Sequence, residues 1–155
     1  MSKNAAFALV LLSALSASAV RAAEPKLKVL ESYLTEGPTL DKLKRKSDKT
    51  VKAGEEFFLY YKVDGYSITK EKGGRAKLEL AVKKGSKVVG RMPDLRADTD
   101  PKPNAKGDIS TTYASVVHFK LDKGTAPGYY IVSVTFKDEN SGQSSEIRYT
   151  INLQK

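Results

Sequence analysis

Residues 129–137, Tyr-Tyr-Ile-Val-Ser-Val-Thr-Phe-Lys, decide the fold class because apolar and polar side chains alternate along them. One face of an extended chain collects the large apolar side chains, namely Tyr130, Val132, Val134 and Phe136. Ser133 and Thr135 fall on the opposite face. A period of two places alternate side chains on opposite faces of a β-strand, whereas a helix needs apolar residues at three- and four-residue spacing. The stretch therefore predicts a strand with one buried face.

The same alternation recurs along most of the chain, and helical periodicity is sustained nowhere. Further strands are predicted at residues 27–33, 55–63, 76–83, 87–92, 113–121 and 146–153. Their expected inward side chains are Phe57, Leu59, Tyr61, Val63, Ala76, Leu78, Leu80, Val82, Val117, Phe119, Leu121, Ile147, Tyr149, Ile151 and Leu153. Prolines and aspartates mark residues 93–108 as a surface loop. Short, half-buried strands joined by turns predict an all-β fold, an antiparallel two-sheet sandwich of about seven strands.

Residues 121–134, Leu-Asp-Lys-Gly-Thr-Ala-Pro-Gly-Tyr-Tyr-Ile-Val-Ser-Val, carry a short motif of the form Pro-Gly-x-Tyr. With Asp138 and Ser141-Gly142 after it, the stretch resembles the penultimate strand of bacterial immunoglobulin-like and macroglobulin-like domains. The resemblance implies that Pro127-Gly128 turns the chain between the two sheets. It also implies that Tyr130 is an inward corner tyrosine whose hydroxyl caps nearby backbone. The expected fold is therefore an immunoglobulin-like sandwich, a fold that hosts many functions.

Residues 1–22 have the pattern of a secretory signal peptide. Lys3 supplies a positive start, residues 5–15 are almost entirely apolar, and cleavage is expected after Ala22, with Ala19 as the alternative site. The apolar run ends at Arg21, which makes it short for a membrane span, and no later segment is long enough. We expect a signal peptide at 1–22, one sandwich domain at 23–155, and a periplasmic or secreted protein. The chain has no cysteine, so apolar packing and sheet hydrogen bonds must stabilise it.

The formal net charge of the chain is +9, and its densest group of cations follows the first predicted strand. This group consists of Lys42, Lys44, Arg45, Lys46, Lys49 and Lys52. Such a group attracts phosphate, sulfate or carboxylate groups. Export argues against nucleic acid as the target, so the expected partner is an acidic patch of a protein or an anionic envelope polymer. The alternative is that these charges form an ordinary solvated surface.

Two aromatic residues, Phe58 and Tyr60, lie opposite the core-facing side chains of the strand at residues 55–63. Paired exposed rings on a sheet can stack on sugar rings or contact a protein partner. The alternative is that the first strand or the basic stretch folds over that face and buries both rings. Exposure of Phe58 and Tyr60 is thus the condition for a carbohydrate-recognition module.

Catalytic and metal-binding patterns are absent from the sequence. His118 is the only histidine, and no partner that would orient it can be placed from the sequence. Four aspartates, Asp94, Asp98, Asp100 and Asp108, share one loop, but prolines and lysines among them do not fit a calcium loop. We therefore predict a non-enzymatic binding or structural module without a cofactor or metal. An enzyme whose site assembles from scattered residues is a further alternative.

Overall fold

The alternating stretches form strands that a computed structural model places in two stacked sheets. The structure describes residues 26–102 and 109–155. The strands are β1 (Lys28–Thr35), β2 (Thr50–Lys52), β3 (Glu56–Asp64), β4 (Ile68–Thr69), β5 (Gly73–Gly74), β6 (Ala76–Lys84), β7 (Lys87–Arg96), β8 (Tyr113–Lys120), β9 (Gly128–Asp138) and β10 (Ser144–Gln154). Seven of these have eight residues or more. Among the described residues, helical structure is confined to a 3-10 turn at Leu40–Lys42.

The strand order identifies the type of sandwich. β1, β3 and β8 form a three-stranded sheet in that order, and β2, β10, β9, β6 and β7 form a five-stranded sheet. Neighbouring strands in these sheets run antiparallel except for the short β2, which pairs with β10 in parallel after the chain has crossed from the first sheet. β4 and β5 form a separate ribbon. Each sheet thus contains strands from both halves of the chain, as in the immunoglobulin-like arrangement. The domain is an all-β, two-sheet immunoglobulin-like sandwich.

The core lies between the sheets, and the predicted strand faces form most of it. All side chains expected to point inward are buried except Tyr149, which is half-buried and packs against the core. Phe57 of β3 stacks on Phe119 of β8 with 5.4 Å between ring centroids. Tyr66 meets Phe136 of β9 edge-on at 5.1 Å. Burial of this apolar surface stabilises the fold of a chain that has no cysteine.

Tyr130 at the start of β9 forms the corner that the resemblance implies. Its hydroxyl donates a hydrogen bond to the carbonyl oxygen of Ala126 at 2.5 Å, and the ring is buried. Lys84 Nζ lies 5.1 Å from the centroid of the same ring and donates to the carbonyl oxygen of Pro127 at 3.1 Å. The loop before β9 is therefore fixed to both β9 and the end of β6.

The length of β7 corrects one prediction. The sequence predicts a strand that ends at Met92 and a loop that begins at Pro93, but β7 continues to Arg96. Leu80 pairs with Met92 and Leu78 pairs with Leu95, so one extra residue is accommodated in a bulge after Met92. Asp94 has a φ of 58° there. Proline is tolerated because β7 is an edge strand, on which half of the backbone N–H groups have no partner in the sheet.

The two sides of the sandwich differ. On one side, the chain between β1 and β2 crosses from the three-stranded to the five-stranded sheet. On the other side, the edge strands β7 and β8 leave a cleft between the sheets. These two sides carry the features of functional interest.

The predicted signal peptide at 1–22 lies outside the described residues, and so does Asp108. In the part of the chain that the structure describes, no helix has the length and apolar character needed to cross a membrane.

Candidate functional site

The predicted cationic group lies on the crossing between the sheets, in residues 40–52, which we call the basic segment. The backbone N–H of Lys46 donates to the carbonyl oxygen of Leu34 at 2.8 Å, and that of Glu36 donates to the carbonyl oxygen of Lys44 at 3.0 Å. β2, at the other end of the segment, pairs with β10. Because its middle is bonded to β1 and its last residues to β10, the segment is held along the side of the sandwich.

Ion pairs divide the cations of the basic segment into two groups. Lys44 Nζ lies 2.8 Å from Glu36 Oε2. Lys46 Nζ lies 3.9 Å from Asp48 Oδ1 and donates to the carbonyl oxygen of Thr50 at 2.5 Å. Four exposed cations have no carboxylate within 4.0 Å among residues 26–102 and 109–155, namely Lys42, Arg45, Lys49 and Lys52. The uncompensated positive charge of the segment therefore comes from these four side chains.

Aromatic rings hold two of these cations in place. The guanidinium carbon of Arg45 lies 5.0 Å from the ring centroid of Tyr33 on β1. Lys49 Nζ lies 5.4 Å from the ring centroid of Tyr149 on β10. A ring face attracts a cation through its quadrupole and carries no net charge. Both cations are thus restrained in position without being neutralised.

Tyr60 of β3 packs against Tyr33, the ring that Arg45 contacts. Its ring centroid lies 4.7 Å from that of Tyr33, and its hydroxyl donates to Glu31 Oε1 at 3.3 Å. Only 6% of the residue surface is exposed. The pKa of the Tyr60 hydroxyl is raised above its usual range, mainly because the hydroxyl is buried and secondly because the Glu31 carboxylate lies beside it. Arg45, Tyr33 and Tyr60 therefore form one stack on the outward face of the three-stranded sheet.

The burial of Tyr60 agrees with the second of the two alternatives for the aromatic pair, in which the first strand covers that face. β1 pairs with β3 in a register that places Tyr33 against Tyr60, and this covers the ring. Phe58 is half-buried, with 6.1 Å between its ring centroid and that of His118. The pair of exposed rings that a carbohydrate-recognition module needs is therefore not formed by these two residues.

The structure brings together only part of the predicted site. Arg45 and Tyr60 are brought together by Tyr33, which contacts both. Among the described residues, no ion pair, side-chain hydrogen bond or ring contact joins these three residues to Lys42, Lys44, Lys46 or Phe58. Tyr33 itself is absent from the residues singled out in the sequence. The sequence gives little indication of its role, because Tyr33 reaches Tyr60 only through the register between β1 and β3.

Two aspartates of the predicted loop, Asp94 and Asp98, are paired with cations. Lys77 Nζ lies 3.9 Å from Asp94 Oδ1. Arg96 Nη2 lies 2.7 Å from Asp98 Oδ1, and this hydrogen bond lowers the pKa of the Asp98 carboxyl. Within residues 26–102 and 109–155, no group of three or more histidine or acidic side chains is placed to hold a metal ion.

His118 lies on β8 at the mouth of the cleft. Its Nε2 atom is 3.8 Å from Glu56 Oε1, and both side chains are more than half exposed. An exposed pair of this kind is weak, so Glu56 does little to orient the imidazole. The second contact of the ring is with Phe58, which offers no proton acceptor.

Comparisons with known proteins show similarity at the level of the fold. No protein-family model and no curated protein matches the sequence. The sporulation control protein Spo0M of Bacillus subtilis superposes with a TM-score of 0.51 at 13% identity, covering 84% of this chain and 50% of that one. The alkylpurine DNA glycosylase AlkC of Pseudomonas fluorescens gives a TM-score of 0.47 at 10% identity, covering 86% and 32%. An immunoglobulin-like protein of Pseudomonas aeruginosa gives 0.43 at 12% identity, covering 86% and 100%.

The chain spans only a third to a half of the first two of these proteins. At such identities, the match to Spo0M shows a shared fold and nothing about the site.

Proposed function

We propose that this protein is an exported, non-enzymatic binding module that holds an anionic partner, an envelope polymer or an acidic face of a protein, through its basic segment. The observation that carries the proposal is the set of four exposed cations that have no carboxylate partner within the described ranges 26–102 and 109–155, namely Lys42, Arg45, Lys49 and Lys52. Export rests on the signal-peptide pattern of residues 1–22.

The positions of Arg45 and Lys49 favour binding over simple solubility. A cation that rests on a ring loses less side-chain freedom when it meets an anion than a free lysine does. Arg45 lies over Tyr33, and that ring is itself supported by Tyr60. Part of the side-chain conformational entropy that binding would remove is therefore already lost in the free protein.

Repeated anionic groups would suit this surface better than one small anion. The cations lie along an extended segment, from the 3-10 turn at Leu40–Lys42 to β2 at Thr50–Lys52. A polymer with regularly spaced phosphates or carboxylates can contact several of them at once and release several counterions. A single small anion would contact one or two.

The test is binding of the purified protein to polyphosphate and to polyglutamate, measured by fluorescence anisotropy at low salt and at about 0.5 M salt. The test variant is K42Q/R45Q/K49Q/K52Q. Its matched control is K26Q/K70Q/K72Q/K102Q, which removes the same charge from exposed lysines elsewhere. We expect the test variant to lose about tenfold or more in affinity at low salt, and the control about threefold or less.

Equal loss of affinity in the two variants would show that net charge alone attracts the polymer, and would reject the basic segment as the site. Turnover of an envelope substrate that is abolished by H118A would reject the non-enzymatic part of the proposal.

A further inference from the structure

The side of the sandwich opposite the basic segment carries a cleft with a different chemistry. β7 is the last strand of the five-stranded sheet and β8 is the last strand of the three-stranded sheet. The cleft between them has a volume of about 630 Å³. Pockets that bind small molecules have volumes of roughly 300–1,000 Å³. The cleft therefore has enough volume for a small-molecule ligand.

The lining of the cleft is mainly apolar. Leu80 and Val82 of β6 and Val117 and Phe119 of β8 are buried members of the core that also line it. At the rim, Val89 and Met92 of β7 are 43% and 53% exposed. Exposed aliphatic side chains that continue a core surface are typical of a binding site for an apolar group.

The mouth of the cleft carries charges of both signs, with an excess of positive charge. Arg91, Lys120 and Asp122 line it, and His118 lies beside them. Arg91 is engaged by Glu79, whose Oε1 lies 2.7 Å from Arg91 Nη2. Lys120 is exposed and has no carboxylate within 4.0 Å in the described part of the chain. Lys120 is thus the cation that remains available to an anionic headgroup.

The shape of β7 argues against an added strand as the occupant. Strand addition needs a regular edge with unpaired backbone groups. β7 has two register irregularities, opposite Leu78/Leu80 and opposite Val82/Lys83, and it contains Pro93. Bulges and proline are devices that protect an edge strand from pairing. The cleft, rather than the strand edge, is the accessible feature.

We propose that this cleft binds the acyl chain of a single-chain anionic amphiphile, with the carboxylate or phosphate headgroup at Lys120. The chain lies between β7 and β8 against Leu80, Val82, Val117 and Phe119. The function of the basic segment is independent of this site, because the two lie on opposite sides of the sandwich.

Gly90 offers a way to fill the cleft without disturbing the core. It lines the cleft and pairs with the inward-facing Val82, and a Cβ atom there would have no heavy atom within 4 Å. A G90F variant therefore places a ring in the space that the acyl chain would occupy. The matched control is G37F, at a glycine that also has no atom within 4 Å of an added Cβ but lies before the basic segment. Thermal melts of both variants confirm that they fold.

The experiment is calorimetric titration of the purified protein with decanoate and with its uncharged analogue decanol, below the concentrations at which they form aggregates. We expect saturable binding of one decanoate per chain, a loss of about tenfold or more in G90F, and no change in G37F. K120Q should weaken decanoate binding by about two- to fivefold, as for one exposed ion pair, and leave decanol binding unchanged.

Absence of saturable binding, or equal binding by G90F and the unmodified protein, would overturn the proposal. An equal effect of K120Q on both ligands would overturn the placement of the headgroup. A concentration-dependent dimer that G90F abolishes, without decanoate binding, would instead assign the cleft to a second copy of the chain.

Discussion

The side-chain carboxylate of Asp138, the last residue of β9, accepts a hydrogen bond from the backbone N–H of Ser67 at 2.9 Å. The same carboxylate accepts hydrogen bonds from the backbone N–H of Asn140 at 2.9 Å and from the hydroxyl of Ser141 at 2.6 Å. Asp138 is fully buried and has no cationic partner among residues 26–102 and 109–155. A buried carboxylate is tolerated when donors surround it. Asp138 therefore joins the β9–β10 turn to the connection between β3 and β4.

Replacement of Asp138 by alanine should lower the free energy of unfolding by about 3 kcal/mol, because three buried or partly buried donors lose their acceptor. D138N keeps one carbonyl oxygen and should lose less. Urea unfolding of the purified variants measures both values. The control is D100A at an exposed aspartate, expected within about 0.5 kcal/mol of the unmodified protein. Similar midpoints for D138A and D100A would contradict the role of Asp138.

Removal of the Tyr130 hydroxyl tests the corner before β9. Y130F keeps the buried ring and loses the hydrogen bond to the carbonyl oxygen of Ala126. We expect the free energy of unfolding to fall by about 1 kcal/mol. The neighbouring Tyr129 is 72% exposed, so Y129F provides a control that should unfold at the same urea concentration as the unmodified protein. If Y129F is as destabilised as Y130F, the corner hydrogen bond is not the cause.

Strand faces could be predicted from the sequence because burial imposes a period of two that strands such as β3, β8, β9 and β10 display by themselves. Phe57, Val117 and Val134 lie in the core as the alternation requires. The length of β7 could not be predicted, because the position of Pro93 in a bulge depends on pairing with β6. The immunoglobulin-like order follows from the assembled sheets and agrees with the resemblance at residues 121–134.

The candidate site was less predictable, because its geometry depends on residues that are distant in sequence. The density of cations in residues 42–52 is visible in the sequence, but the pairing of Lys44 with Glu36 depends on how the chain folds back along β1. Tyr33 reaches Tyr60 only through the β1–β3 register. The cleft between β7 and β8 has no sequence signal of its own, since it results from two edge strands that face each other.

Substitution of Gly74 tests the packing of Tyr66. A Cβ atom at Gly74 would lie 2.6 Å from two ring carbons of Tyr66, whose ring is fully buried and whose hydroxyl donates to the carbonyl oxygen of Ala97. The ring cannot move away without disturbing Phe136, so G74A should lower the free energy of unfolding by about 2 kcal/mol. G90A is the matched control, because a methyl group there meets no atom within 4 Å. Equal stability of the two variants, measured in urea, would contradict close packing at Gly74.

The pH dependence of stability should include a contribution from Asp64 at the end of β3. Thr111 Oγ1 donates to Asp64 Oδ1 at 2.9 Å, and this bond is the main cause that holds the pKa of Asp64 below its ordinary value of 3.8. Because the folded-state pKa is lowered, the carboxylate stabilises the fold at pH values above 3.8, and this contribution is lost as the pH falls through the lowered value.

T111V removes the main donor to Asp64, so the pKa of Asp64 should rise towards 3.8. The free energy of unfolding should then fall less steeply between about pH 4 and pH 2 than it does in the unmodified protein. NMR titration of the Asp64 carboxyl carbon and urea unfolding across this range measure the two effects. T150V, at an exposed threonine of β10, is the control and should leave the pKa of Asp64 unchanged. An unchanged pKa in T111V would show that Thr111 does not stabilise the ionised carboxylate.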